Sequence, residues 1–250
     1  MRIGVFDSGI GGLTVLKEII EKYPNNEYIY YGDTLNLPYG EKTKQELLII
    51  SNKIIDFLAK EKVDIIVIAC GTISANVYEL LKDNKYEIPI YDVITPTINY
   101  IIKNNITNVG IIATTMTIRS NVFSKNLDSK NVNNYSVDCP MFVNIIENKL
   151  NNDIKEKYVK DYLSYFNDKN IQALVLGCTH YPLLISNIKN YLGENVEYID
   201  MGKAIANILN ITNVSKYKLN LYFSKITDNI LINIETIINK YDYNIENKIL

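Results

Sequence analysis

Two of the three cysteines stand in closely similar surroundings. Cys70 ends the apolar run of "IVIACGT" and Cys178 ends that of "LVLGCTH", and a threonine follows each cysteine closely. A thiol pKa near ~8.5, lowered by a positive or hydrogen-bonded setting, makes a base available near neutral pH, while a second thiol remains a proton donor. Two thiols on opposite faces of one carbon could therefore remove a hydrogen from one side and replace it from the other.

Each thiol has a candidate helper. Asp7 ends the first apolar run and could assist one thiol, while His180, the only histidine, follows Cys178 by two positions and could assist the other. A metal site is the rival interpretation of Cys plus His, but "CTH" lacks the C-x-x-C and H-x-x-x-H spacings of zinc ligands. We therefore expect no metal, and we interpret the third cysteine, Cys139, as a small buried apolar side chain.

Alternating strands and helices are predicted to position these residues. Near-continuous apolar runs are typical of strands covered on both faces, and we predict nine: "RIGVF", "EYIYYGD", "VDIIVIAC", "IPIYDV", "NVGIIATT", "YSVDC", "QALVLGC", "VEYIDM" and "LNLYF". Helical periodicity lies between them, as in "KQELLIISNKIIDFLAKEK", "IKEKYVKDYLSYF" and "PLLISNIKNYL". This alternation predicts the α/β class, and the two matching cysteine segments indicate two lobes built on one plan.

Ligands of open α/β sheets bind at the carboxyl ends of the strands. If the strand ends of two lobes face each other across a cleft, Cys70 and Cys178 could flank one substrate from opposite sides. The rule makes site candidates of the residues that end the predicted strands, namely Asp7, Ser8, Asp33, Cys70, Thr72, Thr114, Thr117, Cys178, Thr179 and His180.

The opening stretch "DSGIGG" does not match a dinucleotide site. Gly9 and Gly11 begin the pattern G-x-G-x-x-G, but Thr14 occupies the third glycine position. The charge of Asp7 would oppose a pyrophosphate at the following helix. We interpret Asp7 as a proton-handling or ammonium-facing group, with glycines that let the backbone approach a small anionic substrate.

Two threonines have an alternative interpretation as helix caps. Thr43 precedes "KQELL" and Thr72 precedes "ISANVYELL", and threonine is a common N-cap. For Thr72, capping and substrate binding could hold together.

Composition restricts the partners. The 250 residues carry 26 basic and 28 acidic side chains, a formal charge of −2, so no basic stripe indicates nucleic acid. No apolar run approaches the ~20 residues that span a bilayer, and three scattered cysteines do not indicate a disulfide framework. We expect a cytoplasmic protein with a small-molecule substrate, without a membrane partner and without a PLP, flavin or nucleotide cofactor.

Five segments together resemble the glutamate racemases. They are "FDSGIGGLTVL", "YYGDTLNLPYG", "VIACGTISA", "CPMFVNIIE" and "LVLGCTHYPLL", and they occur in the family order from residue 3 to about residue 185. The later segment "LYFSKITDNI" is similar to the last strand and helix of that family. The resemblance implies a PLP-independent racemase that supplies D-glutamate for peptidoglycan.

The resemblance also implies residue roles. Cys70 would take the α-proton from D-glutamate and Cys178 from L-glutamate, with Asp7 assisting Cys70 and His180 assisting Cys178. Glu147, in "CPMFVNIIE", matches a glutamate near the second thiol.

The remaining implied residues would bind the substrate. Its carboxylates and ammonium would be held by Ser8, Pro38, Tyr39, Gly40, Gly71, Thr72, Thr114, Thr117 and Thr179. Family members have two pseudosymmetric lobes, each a mostly parallel sheet flanked by helices, with the active site in the cleft between them. Residues 1–93 and 206–250 would form one lobe and residues 94–205 the other, and a homodimer would be the expected assembly.

Two segments depart from the family pattern. Gly71 replaces the usual Asn of "ACNT", and "DVITPT" replaces "GVIEPG". Loss of an amide hydrogen bond to substrate could cost ~1 kcal/mol unless a backbone amide or a water replaces it. Two alternatives therefore stay open: a racemase of aspartate or another amino acid, and a catalytically inactive amino-acid-binding or regulatory protein.

Overall fold

Two separate parallel sheets organise the chain. The computed structural model describes residues 1–212 and 216–250. Within these ranges the strands are β1 Arg2–Asp7, β2 Glu27–Gly32, β3 Ile65–Ile68, β4 Ile90–Asp92, β5 Asn108–Ala113, β6 Asn133–Asp138, β7 Ala173–Leu176, β8 Glu197–Asp200, β9 Lys218–Phe223 and β10 Asn244–Asn247. Each strand pair is parallel, which requires a crossover connection after almost every strand.

Helices supply most of the crossovers. They are α1 Gly12–Lys22, α2 Lys44–Lys60, α3 Gly71–Asn76, α4 Tyr78–Leu81, α5 Ile94–Lys103, α6 Thr115–Arg119, α7 Val122–Asp128, α8 Pro140–Glu147, α9 Asn152–Leu163, α10 Ile185–Leu192, α11 Met201–Ile208 and α12 Asp228–Ile238. The described part of the chain also has four short 3-10 helices, at Thr34–Asn36, Tyr39–Glu41, Ser164–Phe166 and Tyr181–Leu184. No helix in the described ranges is long and apolar enough to cross a membrane.

The strand orders repeat between the sheets. The first sheet has the order β10-β9-β2-β1-β3-β4 and the second has β6-β5-β7-β8. The run β2-β1-β3-β4 therefore has the same order as β6-β5-β7-β8, which confirms the two-lobe expectation. Because β3 and β7 occupy equivalent places, Cys70 and Cys178 follow equivalent strands.

The lobes share a hydrophobic core. Val5 of β1 belongs to a cluster that continues through α1 and α11 to Val175 of the second sheet. Phe6, the next residue of β1, points to the opposite face and packs in a second cluster with Leu58 of α2. Both faces of β1 are covered, which explains its unbroken apolar sequence.

All nine predicted strand segments contain a strand, and the tenth strand was missed. Among the described residues, β10, "NIEN", pairs with β9 alone at the edge of the first sheet, and its polar sequence has no apolar period. Since β9 and β10 return to the first sheet, that lobe is discontinuous in sequence. The predicted boundaries at 93/94 and 205/206 stay predictions: the second falls inside α11, and residues 213–215 lie outside the described residues.

The two cap interpretations have different outcomes. Thr43 is the N-cap of α2 in a reciprocal capping box with Glu46, as predicted. Thr72 is not a cap, because Cys70 occupies the N-cap position of α3 and Thr72 lies within that helix. The helix therefore begins at Gly71, earlier than the sequence predicts.

Candidate active site

The carboxyl ends of the two sheets meet at one cavity of about 440 Å³. Cys70 reaches it from the first sheet and Cys178 from the second. The predicted site residues that line this cavity are Ser8, Pro38, Tyr39, Gly40, Cys70, Gly71, Thr72, Thr114, Cys178, Thr179 and His180. The two thiols therefore share one space between the lobes.

Cys70 is a buried thiol beside a carboxylate. It is 4% exposed. Burial raises its pKa well above the usual value, and the charge of Asp7 raises it further, while the backbone N–H groups of Ile73 and Thr72 act in the opposite direction. Cys70 is therefore a protonated thiol near neutral pH, which suits a proton donor.

Cys178 lies at the head of a hydrogen-bonded chain. Its Sγ is 3.8 Å from Nδ1 of His180, and Nε2 of His180 is 2.8 Å from Oε1 of Glu147. Burial by itself lowers the pKa of His180, but the bonds to Cys178 and Glu147 outweigh it, so the pKa is raised well above 6.5. The imidazole can therefore hold a proton beside the sulfur. Glu147 ends α8 and reaches the site through His180 without lining the cavity.

Asp7 lies behind the cavity wall, completely buried. Its Oδ2 accepts hydrogen bonds from the N–H of Gly12 at 2.8 Å and from Oγ1 of Thr179 at 3.3 Å. Its Oδ1 is buried with no hydrogen-bond partner among the described residues. Burial raises the pKa of Asp7, and the charge of His180 opposes that shift. No hydrogen bond joins Asp7 to Cys70 in the described ranges, so assistance to Cys70 stays a prediction.

A line of hydroxyls crosses the cleft. Oγ1 of Thr72 lies 3.0 Å from Oγ1 of Thr114, which lies 3.0 Å from Oγ1 of Thr117. Thr72 and Thr114 line the cavity, whereas Thr117 is 1% exposed and lies behind Thr114. The expectation of direct substrate contact by Thr117 is corrected accordingly: the geometry makes it a support for Thr114.

Asp33, a strand-end candidate, also lies outside the cavity lining. Its Oδ2 accepts a hydrogen bond from the hydroxyl of Tyr39 at 2.7 Å, and both carboxylate oxygens accept hydrogen bonds from Nδ2 of Asn36. Asp33 therefore holds the Tyr39 segment against the first sheet, and Tyr39 presents its neighbours Pro38 and Gly40 to the cavity.

The glycines of "DSGIGG" do not border the cavity, contrary to expectation. A Cβ on Gly11 would lie 2.4 Å from Nδ1 of His180 and 2.5 Å from Oγ1 of Thr179. The missing side chain therefore lets the loop approach the other lobe rather than the substrate.

Gly71 meets the same constraint across the cleft. A Cβ there would lie 2.7 Å from the carbonyl oxygen of Gly177, in the segment that leads to Cys178. Close approach of the two lobes excludes a side chain at this position in the present arrangement.

Sequence reasoning missed several residues of the cavity wall: Leu37, Glu41, Thr115, Met116, Arg119, Pro140, Val143 and Gly177. Arg119 ends α6 and is exposed at the cavity. Leu37, Glu41, Pro140, Val143 and Gly177 fall within or beside the quoted motifs, whereas Thr115, Met116 and Arg119 follow the strand end at Thr114. The only pattern that could have indicated Thr115, Met116 and Arg119 is their helical spacing after a strand end. That spacing alone does not show whether a side chain faces a cavity or solvent.

Comparison with known proteins agrees with this geometry. The model of the Asp/Glu/Hydantoin racemase family matches residues 11–209. A glutamate racemase from Hydrogenobaculum is 41% identical over 248 residues, covering 97% of this chain and 95% of the relative.

Solved structures give the same result. The structure of a Francisella tularensis glutamate racemase in complex with D-glutamate superimposes with a TM-score of 0.88 at 35% identity, covering 99% of this chain and 97% of the other. A glutamate racemase isoform from Bacillus anthracis gives a TM-score of 0.92 at 30% identity, covering 100% and 97%. The chain therefore belongs to the glutamate racemases of the Asp/Glu/Hydantoin racemase family.

Proposed function

We propose that this racemase interconverts L- and D-glutamate by proton transfer between two thiols, without a cofactor. The observation that carries the proposal is the placement of Cys70 and Cys178, which follow equivalent strands of opposite sheets and line one cavity. The names of the relatives, and the D-glutamate held by the Francisella protein, support the choice of substrate.

In the L-to-D direction, Cys178 acts as the base. Its thiolate takes the α-hydrogen of L-glutamate as a proton, so an S–H bond forms and the C–H electron pair remains on carbon. Cys70 then gives its proton to the opposite face of that carbon and becomes a thiolate. The reverse reaction begins from this state, and the two sulfurs exchange roles.

The helpers differ between the two sides. His180 and Glu147 lie beyond Cys178, so a protonated imidazole 3.8 Å from the sulfur stabilises the thiolate. Asp7 lies on the Cys70 side, where its charge raises the thiol pKa and keeps that sulfur protonated until the carbanion needs the proton. A dry cavity strengthens these interactions and limits stray protonation of the carbanion.

Polar groups around the cavity would hold the substrate. The hydroxyls of Ser8, Thr72 and Thr114 can donate to the carboxylates, and Arg119 adds a positive charge at the wall. Thr179 also lines the wall, but its hydroxyl donates to Asp7. We place this activity in the cytoplasm, as the supply of D-glutamate for peptidoglycan, in a protein that forms a homodimer.

The test follows ellipticity of L- or D-glutamate with purified protein and no added cofactor. We expect decay to zero from either enantiomer, and loss of racemisation in both Cys70→Ser and Cys178→Ser, because serine does not supply an accessible base. Cys139→Ser is the matched control, since Cys139 is buried outside the cavity wall, and it should remain active. Full activity in either cavity variant would refute the two-thiol mechanism.

Two further measurements address the alternatives. Values of kcat/KM across D-glutamate, D-aspartate and other D-amino acids distinguish a glutamate racemase from one with another substrate. Uptake of deuterium at the α-carbon in D2O distinguishes an enzyme from a binding protein, because a binding protein gives none.

A further inference from the structure

Thr14 joins the first helix of one lobe to the catalytic segment of the other. Its Oγ1 lies 2.9 Å from the carbonyl oxygen of Thr179, the residue between Cys178 and His180. It also lies 2.9 Å from the carbonyl oxygen of Gly11, but that oxygen already accepts the N–H of Thr14 at 2.9 Å. A hydroxyl has one proton to donate, so the Thr179 carbonyl has the greater need of it.

The local sequence explains why that carbonyl needs a partner from elsewhere. The chain turns into the 3-10 helix Tyr181–Leu184 directly after the catalytic segment. In such a turn the carbonyl of Thr179 would accept from the N–H of residue 182, but Pro182 has no N–H. The N–H of Leu183 is 3.0 Å from the carbonyl oxygen of His180 instead. Thr14, from the other lobe, supplies the donor that the turn lacks.

The surroundings of Thr14 hold this contact tightly. Thr14 is 8% exposed and does not line the cavity, so it does not touch the substrate. Gly11, one turn earlier, has no side chain and lies against His180 and Thr179. A second contact between the lobes runs from Oγ1 of Thr179 to Asp7 at 3.3 Å.

We propose that Thr14 is a positioning residue for the reaction: its hydroxyl fixes the Cys178–His180 segment relative to the sheet that carries Cys70. The inference rests on the proposed function, because it concerns the spacing of the two sulfurs about one carbon. Those sulfurs lie on different lobes, so their spacing depends on contacts between the lobes. Rates of such reactions fall steeply with small errors in the alignment of the reacting groups.

The test compares Thr14→Val, which keeps the shape and removes the hydroxyl, with Thr14→Ser, which keeps the hydroxyl. Thr97→Val is the matched control: Thr97 is also buried, and its hydroxyl also donates to a backbone carbonyl at 2.7 Å. That carbonyl belongs to Val93, the N-cap of α5, and neither residue lines the cavity. We expect Thr14→Val to lower kcat about tenfold with KM changed less than about threefold. Thr14→Ser and Thr97→Val should stay within about twofold of the parent protein.

A second readout separates positioning from general weakening. Alkylation by iodoacetamide, followed by peptide mass analysis across pH 6 to 10, measures each thiol separately. In Thr14→Val the alkylation rates of Cys178 along this profile should change while those of Cys70 stay the same. Thr14→Ala serves in the same two assays if the valine variant does not fold.

An unchanged kcat and an unchanged Cys178 profile in Thr14→Val would overturn the inference. Equal losses in Thr14→Ser would also overturn it, since a retained hydroxyl would then not preserve the activity, and so would equal losses in Thr97→Val. Failure of the proposed function gives a different result: the parent protein itself would not racemise glutamate, while alkylation would still show whether Thr14→Val changes the reactivity of Cys178.

Discussion

Replacing Gly71 by alanine tests how closely the two lobes must approach for catalysis. The added methyl would lie 2.7 Å from the carbonyl oxygen of Gly177, a backbone atom that has no rotamer through which to withdraw. The two segments must therefore move apart by several tenths of an ångström. Both lead directly to a thiol, since Gly71 follows Cys70 and Gly177 precedes Cys178, so the sulfurs would separate by a similar distance.

The expected magnitudes follow from that displacement. Overpacking of this kind costs about 1–3 kcal/mol of stability, and each kcal/mol lowers Tm by about 2–4 °C in a chain of this size. A misplacement of 1 Å can cost about 100-fold in rate, so a shift of about half that size should lower kcat/KM about tenfold. Circular dichroism supplies both measurements, thermal unfolding in the far ultraviolet and the decay of glutamate ellipticity.

The control for Gly71→Ala is Gly4→Ala. At Gly4 an added methyl would lie 3.2 Å from side-chain carbons of Leu58 and Val63, which can adjust, and the position is far along β1 from the cavity. We expect some loss of Tm there and an unchanged kcat/KM. Gly71→Asn discriminates further, because the lost-amide interpretation expects a gain in activity and the close approach of the lobes expects a loss. A gain, or normal kcat/KM in Gly71→Ala, would refute the steric argument.

Three further predictions concern charge and capping. The pKa of His180 in the folded protein is raised above 6.5, so its pairing with Glu147 stabilises the fold fully below about pH 6.5 and less as pH rises through the folded pKa. The difference in unfolding free energy between the parent protein and His180→Gln should therefore shrink over that pH range. A constant difference would contradict the assignment. The pKa of Asp7 is also raised, but Asp7 is a carboxyl group, so its buried charge destabilises the fold at neutral pH. Asp7→Asn should therefore raise the unfolding free energy at pH 7 in urea titrations while racemisation falls. A destabilised variant would show that Oδ2 is needed as a charged acceptor. Thr43→Ala removes the capping box of α2 and should cost about 1 kcal/mol in the same titration with kcat/KM unchanged, and a loss of activity would place that helix end in the reaction.

Local patterns in the sequence were sufficient for the elements and for many of the residues around the cavity. A parallel strand covered on both faces must be apolar throughout, so β1, β3, β5 and β7 were recognisable from composition alone. The rule that ligands bind at the carboxyl ends of strands then predicts Cys70, Thr114 and Cys178 as site residues. The sequence did not predict β10, because a polar edge strand is defined by its pairing with the neighbouring strand β9 rather than by its own residues.

Contacts between distant segments were beyond that reasoning. The sequence by itself determined the α/β class, the repeated order of elements and the pair of cysteines, because each depends on residues that are neighbours along the chain. Only the tertiary structure decided that Gly11 lies against His180, that Thr14 serves the carbonyl of Thr179, and that Gly71 lies against Gly177. Each contact joins residues of two lobes that are a hundred or more positions apart along the chain. The contact distances depend on how the two sheets pack together, which no local sequence pattern determines.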